Sequence, residues 1–208
     1  MSLTVQESYD KIALYFSVTR IFTWKWTDNF IDLLNNNSMI LDIGSGNGRN
    51  TNYKNHIIFG LDISYEQLKM NKSINCNDIH SNMIKLPFKD NSFDAILSIA
   101  SFHHLSTIKE RHQCLKEMKR VLTRNGKILL SVWSINQPKK TKRQFNNYGD
   151  TIVNWNTNRK DESDKYIIIP RYYYIFNLYE INELLKQYFK IDKYYWDSGN
   201  EIFELSNN

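Results

Sequence analysis

Residues 39–43, Met-Ile-Leu-Asp-Ile, run straight into Gly-Ser-Gly-Asn-Gly at 44–48. A five-residue apolar run ended by glycines reads as a buried strand that turns sharply. Glycine admits left-handed backbone and lets the chain pass close to a ligand. A corner of this kind between strand and helix constrains the fold more than any other feature, because it belongs to α/β architectures.

The rest of the chain alternates in the same sense. Helical spacing of apolar residues covers 6–16 and 25–35. After the strand at 39–43, short runs at 57–61, 76–80, 93–100 and 127–133 read as further strands, the one at 76–80 weakly. Helices are expected at 65–71 and at 107–122, the latter closed by Arg124-Asn125-Gly126 as a left-handed stop. Five βα units over 38–133 predict a doubly wound, mostly parallel sheet. A helix at 178–188 and strands at 189–196 and 201–205 follow, joined by the turn Asp197-Ser198-Gly199-Asn200. They add an antiparallel hairpin, giving a seven-stranded, Rossmann-like sheet. Residues 138–165 are polar and poorly periodic and read as a long loop, a length that in compact domains goes with function or disorder.

The glycine corner matches neither of two phosphate-binding patterns. No Gly-Lys-Ser/Thr follows, so the phosphate-binding P-loop is absent; Arg49-Asn50-Thr51 stands there. The dinucleotide pattern needs its third glycine three places after the second, and here it is two. Asp42, two residues before Gly44, would repel a pyrophosphate at a helix N-terminus and suit a cation. Asp62 ends the next strand, where an acid can accept the hydroxyl protons of a ribose. Asp62 alone could equally cap the helix that follows, and the glycines could serve tight geometry alone. Together they ask for a ribose, a cation and no phosphate, which describes S-adenosylmethionine.

Bulk properties set the class. The 208 residues suit one domain, divided as N-terminal helices (1–37), a βα core (38–133), a basic loop insertion (138–171) and a C-terminal helix and hairpin (172–208). No apolar run is long enough to span a bilayer, and the first sixteen residues show no secretory pattern. Two distant cysteines, Cys76 and Cys114, form no zinc set, and a cytoplasmic or nuclear setting is expected. Net charge is +5, and the segment 138–171 holds eight basic residues against four acids.

LDIGSGNGR, GLDIS, LPFKDNSFDAILSIASFHHL and VLTRNGKILLSVW resemble the successive motifs of class I S-adenosylmethionine-dependent methyltransferases. The resemblance implies that Gly44 and Gly46 pass under the methionine and ribose, with Asp42 beside them. Asp62 would hold the ribose hydroxyls, Ile63 would pack on adenine, Asn82 and Met83 would meet the adenine edge, and Ser98 would lie under the methionine. Asn82 departs from the family's usual aspartate, though its amide oxygen still accepts.

SVTR, SIASFHHL, PRYYYIF and YYWDSGN resemble the eukaryotic wobble-uridine tRNA methyltransferases, including the methyltransferase domain of the eighth AlkB homologue, in their free-standing form. That family methylates the carboxylate of 5-carboxymethyluridine in the anticodon and works with a small zinc-binding activator subunit. A carboxylate is ionised at neutral pH, so its methylation needs alignment and desolvation, not a general base. Arg20 and Arg171, with Tyr172 beside the latter, are the expected acceptor-site residues; Arg20 could instead hold the cofactor's carboxylate. His103 is expected in the pocket, and Trp133 either stacks on the base or is core. Lys139, Lys140, Lys142 and Arg143 are expected to contact tRNA phosphates. Two rivals remain: a small-molecule methyltransferase, and a cofactor-binding subunit without activity.

Overall fold

The computed structural model describes residues 3–73, 76–141, 143–160 and 162–207. Among them the strands are β1 (Met39–Ile43), β2 (Ile57–Asp62), β3 (Cys76–His80), β4 (Phe93–Ile99), β5 (Leu122–Trp133), β6 (Gly149–Lys160), β7 (Tyr166–Ile175), β8 (Phe189–Asp197) and β9 (Asn200–Asn207). The helices are α1 (Val5–Ser17), α2 (Lys25–Ile31), α3 (Tyr65–Leu68), α4 (Ile108–Val121) and α5 (Leu178–Lys186), with a 3₁₀ turn at Phe102–His104.

Seven strands form one sheet in the order β3-β2-β1-β4-β5-β9-β8. The first five are parallel, and β9 and β8 join antiparallel. The order reverses between β1 and β4, so the glycine corner opens at the switch point of the sheet, where ligands bind in such folds. One face buries Leu41, Ile43, Ile96, Leu130 and Phe203 under α4 and α5, through Leu115, Met118, Ile181 and Leu185. The other packs Ile40, Ile58, Leu97 and Leu129 against Trp26, Phe30 and Ile31 of α2. Thr4 and Thr107 cap α1 and α4, each in a reciprocal box with a glutamate three residues on.

Three expectations are corrected. The supposed loop at 138–165 carries strand β6, which pairs antiparallel with β7 in a separate two-stranded sheet. Its inward and outward positions do alternate, but asparagine, threonine and charge on both faces hide the period. Strand β7 also runs across the boundary drawn at 171/172. Arg124-Asn125-Gly126 is no left-handed stop: α4 passes directly into β5, with a register shift opposite Phe93–Ala95. Gly126 is close-packed instead, since a Cβ there would lie 2.5 Å from Leu122 Cδ1. The turn at 197–200 is as expected, with Ser198 and Gly199 both left-handed. No helix among the described residues is long and apolar enough to cross a membrane.

Candidate active site

A cavity of about 1310 Å³ opens above the carboxyl ends of β1, β2 and β4 and is walled by α1, the 18–24 segment and the β6–β7 hairpin. Gly44 and Gly46 line its floor at φ +77 and +57. A Cβ on Gly44 would lie 2.3 Å from Ser101 Cβ, whereas Gly46 looks into open space whose nearest atom is Gln67 Oε1 at 3.8 Å. Ala100, left-handed at φ +54, swings the chain at the end of β4 so that Ser101 comes under the glycines. Ser101 Oγ donates to Ile43 O at 2.7 Å, so Ser98 donates to Ser101 at 2.9 Å. Ser98 is thus a buried support and does not line the cavity.

Asp42 is fully buried beneath this floor. Its Oδ2 has one long contact, from Asn50 at 3.5 Å, and its Oδ1 has no donor. Burial pushes its carboxyl up to about 7, with Arg49 pulling the other way. Asp62 lines the cavity; Oδ2 accepts from Gly46 N and Oδ1 from Ser64 N, each at 2.8 Å. Burial raises its carboxyl to about 6. The cap of α3 is Ser64, not Asp62. Ile63, Asn82 and Met83 complete this end. Asn82 Oδ1 already accepts from Ile84 N at 3.1 Å and keeps one lone pair. An orphaned carboxylate oxygen, a bare glycine turn, a ribose-height acid and an apolar wall fit S-adenosylmethionine.

The other end is built of arginine and aromatic rings in alternation. Arg143 Cζ lies 3.8 Å from the Trp133 ring centre, and Tyr173 stacks on Trp133 at 4.0 Å and 10°. Arg171 Cζ follows at 5.3 Å from Tyr173 and 5.0 Å from Trp155. Trp155 meets Phe16, which carries Arg20 at 4.7 Å. Arg20 and Arg143 line the cavity; Arg171 lies behind Tyr173, 4% exposed, with Nε and Nη1 unpartnered. None of the three pairs with a carboxylate among the described residues. Burial lowers the pKa of Arg20 and of Arg143, and Arg171 lowers both further.

His103 departs from expectation. It is wholly buried, and its Nδ1 accepts from Trp133 N at 3.0 Å. The 3₁₀ turn points neighbouring side chains apart, and His104 lines the cavity instead. His104 Nδ1 donates to Tyr172 O at 2.7 Å, so Nε2 accepts from Tyr9 at 2.9 Å, and Tyr9 accepts from Tyr173 at 3.1 Å. Burial lowers His104 to about 4, so it stays neutral. Trp133 has both faces covered, by Tyr173 and Arg143, and offers no free face to a base. Tyr172 lines the cavity and donates to Asp150 at 2.5 Å. Lys139 and Lys140 are exposed, Arg143 turns inward, and Lys142 lies outside the described residues. Tyr173 also lines the cavity, beside the expected Tyr172, as do Arg49, Tyr9 and Asn200, which were not foreseen. Only Arg49, directly after the glycines, left a sequence signal.

A family model described as "Methyltransferase domain" matches residues 41–130. The tRNA (carboxymethyluridine(34)-5-O)-methyltransferase of Schizosaccharomyces pombe is 33% identical over 198 residues, covering 88% of this chain and 86% of that protein. The Arabidopsis thaliana protein of the same name is 35% identical over 134 residues, 64% of this chain and 33% of that one. Among solved structures, a complex of the Haloferax volcanii Trm112 methyltransferase activator with a methyltransferase matches with TM-score 0.65 at 14% identity, covering 98% of this chain and 97% of that one. Burkholderia thailandensis 1,6-didemethyltoxoflavin-N1-methyltransferase, with S-adenosylhomocysteine, matches with TM-score 0.65 at 15% identity, covering 97% and 84%; at such identity both speak to fold alone. With the glycine corner, the switch-point cavity and a relative matched over nearly its whole length, the chain belongs to the class I S-adenosylmethionine-dependent methyltransferases, in the family that contains the carboxymethyluridine enzymes.

Proposed function

We propose that this methyltransferase esterifies the carboxylate of 5-carboxymethyluridine at the wobble position of a tRNA anticodon. The observation that carries the reading is the pair of guanidiniums Arg20 and Arg171, neither in contact with an acid among the described residues. Unpaired buried cations are costly, and an anionic acceptor offsets that cost. The names of the fungal and plant relatives support the same acceptor.

Bound S-adenosylmethionine supplies an electrophilic methyl group on sulfur. Arg49 would hold the carboxylate of its methionine end, and Asp42, from beneath the glycine floor, would favour the ammonium. Asp62 would take the ribose, and Ile63, Met83 and Asn82 would take the adenine. Arg20 takes the acceptor carboxylate, and Arg171 adds positive potential from behind Tyr173. Tyr172 walls the pocket, and the Tyr173–Tyr9–His104 chain fixes its rings. The acceptor is already ionised, so no residue has to remove a proton. The protein aligns one oxygen and excludes water. Exposed Lys139 and Lys140 contact phosphates outside.

The reading includes a small activator subunit on an open edge of the sheet, where β3 and β8 leave backbone groups unpaired. A methyltransferase of similar fold occurs in complex with the Haloferax volcanii Trm112 activator. The test is nucleoside mass spectrometry of tRNA bearing 5-carboxymethyluridine, treated with the chain, labelled cofactor and an activator subunit. Label in the methyl ester supports the proposal. Label appearing in a small-molecule extract, or cofactor binding with no transfer, overturns it.

A further inference from the structure

We propose that Arg143 is a second anion-binding residue of the acceptor site, taking a backbone phosphate of the nucleotide whose base is methylated, with Gln137 as its positioning residue. The inference rests on the reading of the acceptor as a nucleotide.

Gln137 is fixed at all of its amide atoms. Nε2 donates to Ser134 O at 2.7 Å and to Gly199 O at 2.8 Å, which uses both amide protons. That leaves Oε1 to accept from Arg143 Nε at 2.9 Å. The guanidinium is therefore held at one edge by Gln137 and on one face by Trp133. Its two Nη atoms have no partner among the described residues, and the side chain lines the cavity. A guanidinium immobilised this way is a preorganised fork for oxygen anions. The turn between β8 and β9 supports it: a Cβ on Gly199 would lie 2.7 Å from Gln137 Oε1.

The anion at Arg143 is not the carboxylate placed at Arg20. Two groups about 4 Å from one ring cannot share a face, so Arg143 and Tyr173 lie on opposite sides of Trp133. Arg171 lies beyond Tyr173. Arg143, on Trp133, and Arg20, on Phe16, stand at the two ends of this series of rings and cations. A nucleotide in RNA carries a second anion, its phosphate, set apart from the base substituent by the ribose. Arg143 also begins the path outward to Lys139 and Lys140, which face solvent on the same segment.

The test compares 5-carboxymethyluridine as free nucleoside and as its 3′,5′-bisphosphate. The wild-type chain is expected to show higher kcat/KM for the bisphosphate. Arg143→Gln should lower kcat/KM for the bisphosphate by about 10–100-fold, the worth of a charge-assisted pair, and lower that for the nucleoside by a much smaller factor. Gln137→Met should act in the same direction, less strongly and in KM rather than kcat. Arg143→Lys should restore part of the phosphate preference, and unchanged cofactor affinity shows each variant is folded. An equal loss on both acceptors, or no loss, overturns the assignment to phosphate and leaves the carboxylate reading standing. Transfer to neither form by the wild-type chain with its activator subunit overturns this inference alone when tRNA is still labelled, and the parent reading with it when tRNA is not.

Discussion

Trp133 N–H donates to His103 Nδ1 at 3.0 Å in the closed core beneath the cavity. The imidazole therefore carries its proton on Nε2 and serves as a fixed acceptor for the end of β5. Burial holds its pKa well below the ordinary value, so it stays neutral. His103→Ala should leave a void and an unpaired backbone donor, destabilising the protein by about 2–4 kcal/mol. Cofactor affinity of the folded fraction should be unchanged. Urea unfolding and calorimetry check the two halves; a loss of transfer rate at full stability would return His103 to the site.

Gly44 and Gly46 should answer differently to one methyl group. At Gly44 the methyl meets Ser101 Cβ at 2.3 Å and disturbs the serine bond to Ile43 O. At Gly46 the methyl meets space, and the left-handed backbone alone costs roughly 1–2 kcal/mol. Gly44→Ala should lower both Tm and cofactor affinity. Gly46→Ala should lower affinity with a much smaller drop in Tm. Thermal melts with and without S-adenosylhomocysteine separate them, and equal Tm losses would contradict the geometry.

The cofactor half was legible because it is local. Strand, glycine corner and second acid lie within a short stretch, and each has its own physical signature. The acceptor half is assembled from distant segments. Tyr9 meets His104 and Tyr173 across three elements, and no spacing in the sequence announces that meeting. Adjacent histidines could not be told apart without the 3₁₀ turn that separates them. Arg143 looked like its lysine neighbours until Gln137 and Trp133 turned it inward. The β6–β7 ribbon was missed because its polar residues mask a period of two.

Cofactor binding should depend on Asp42 through pH. Burial raises this carboxyl to about 7, and a cationic ligand requires its ionised form. Affinity should therefore be constant above that value and fall as pH drops through it, by up to about tenfold per unit, from this group alone. Asp42→Asn should bind weakly and lose that break. A raised folded pKa also means that ionisation opposes folding. The penalty is absent below the unfolded value, near 4, and complete above 7. The asparagine variant without cofactor should thus be more stable at pH 8, by about 2–4 kcal/mol. Melts at pH 4 and pH 8 test the sign, and a variant less stable at pH 8 would mean that Asp42 is paired.

Arg171 poses the same opposition between folding and function. Its guanidinium is buried between Trp155 and Tyr173, with Nε and Nη1 unpartnered and no acid in contact among the described residues. Methionine has similar length, fills the same space and demands no hydrogen bond. Replacing a buried charge by an apolar side chain is often neutral or stabilising by about 1–4 kcal/mol. Arg171→Met should therefore raise Tm, most clearly in low salt and without ligands. It should also lower kcat/KM for the anionic acceptor by about tenfold or more and leave cofactor affinity intact. A fall in Tm would show that the guanidinium has partners in the folded chain. Unchanged transfer would mean that the acceptor does not respond to its charge.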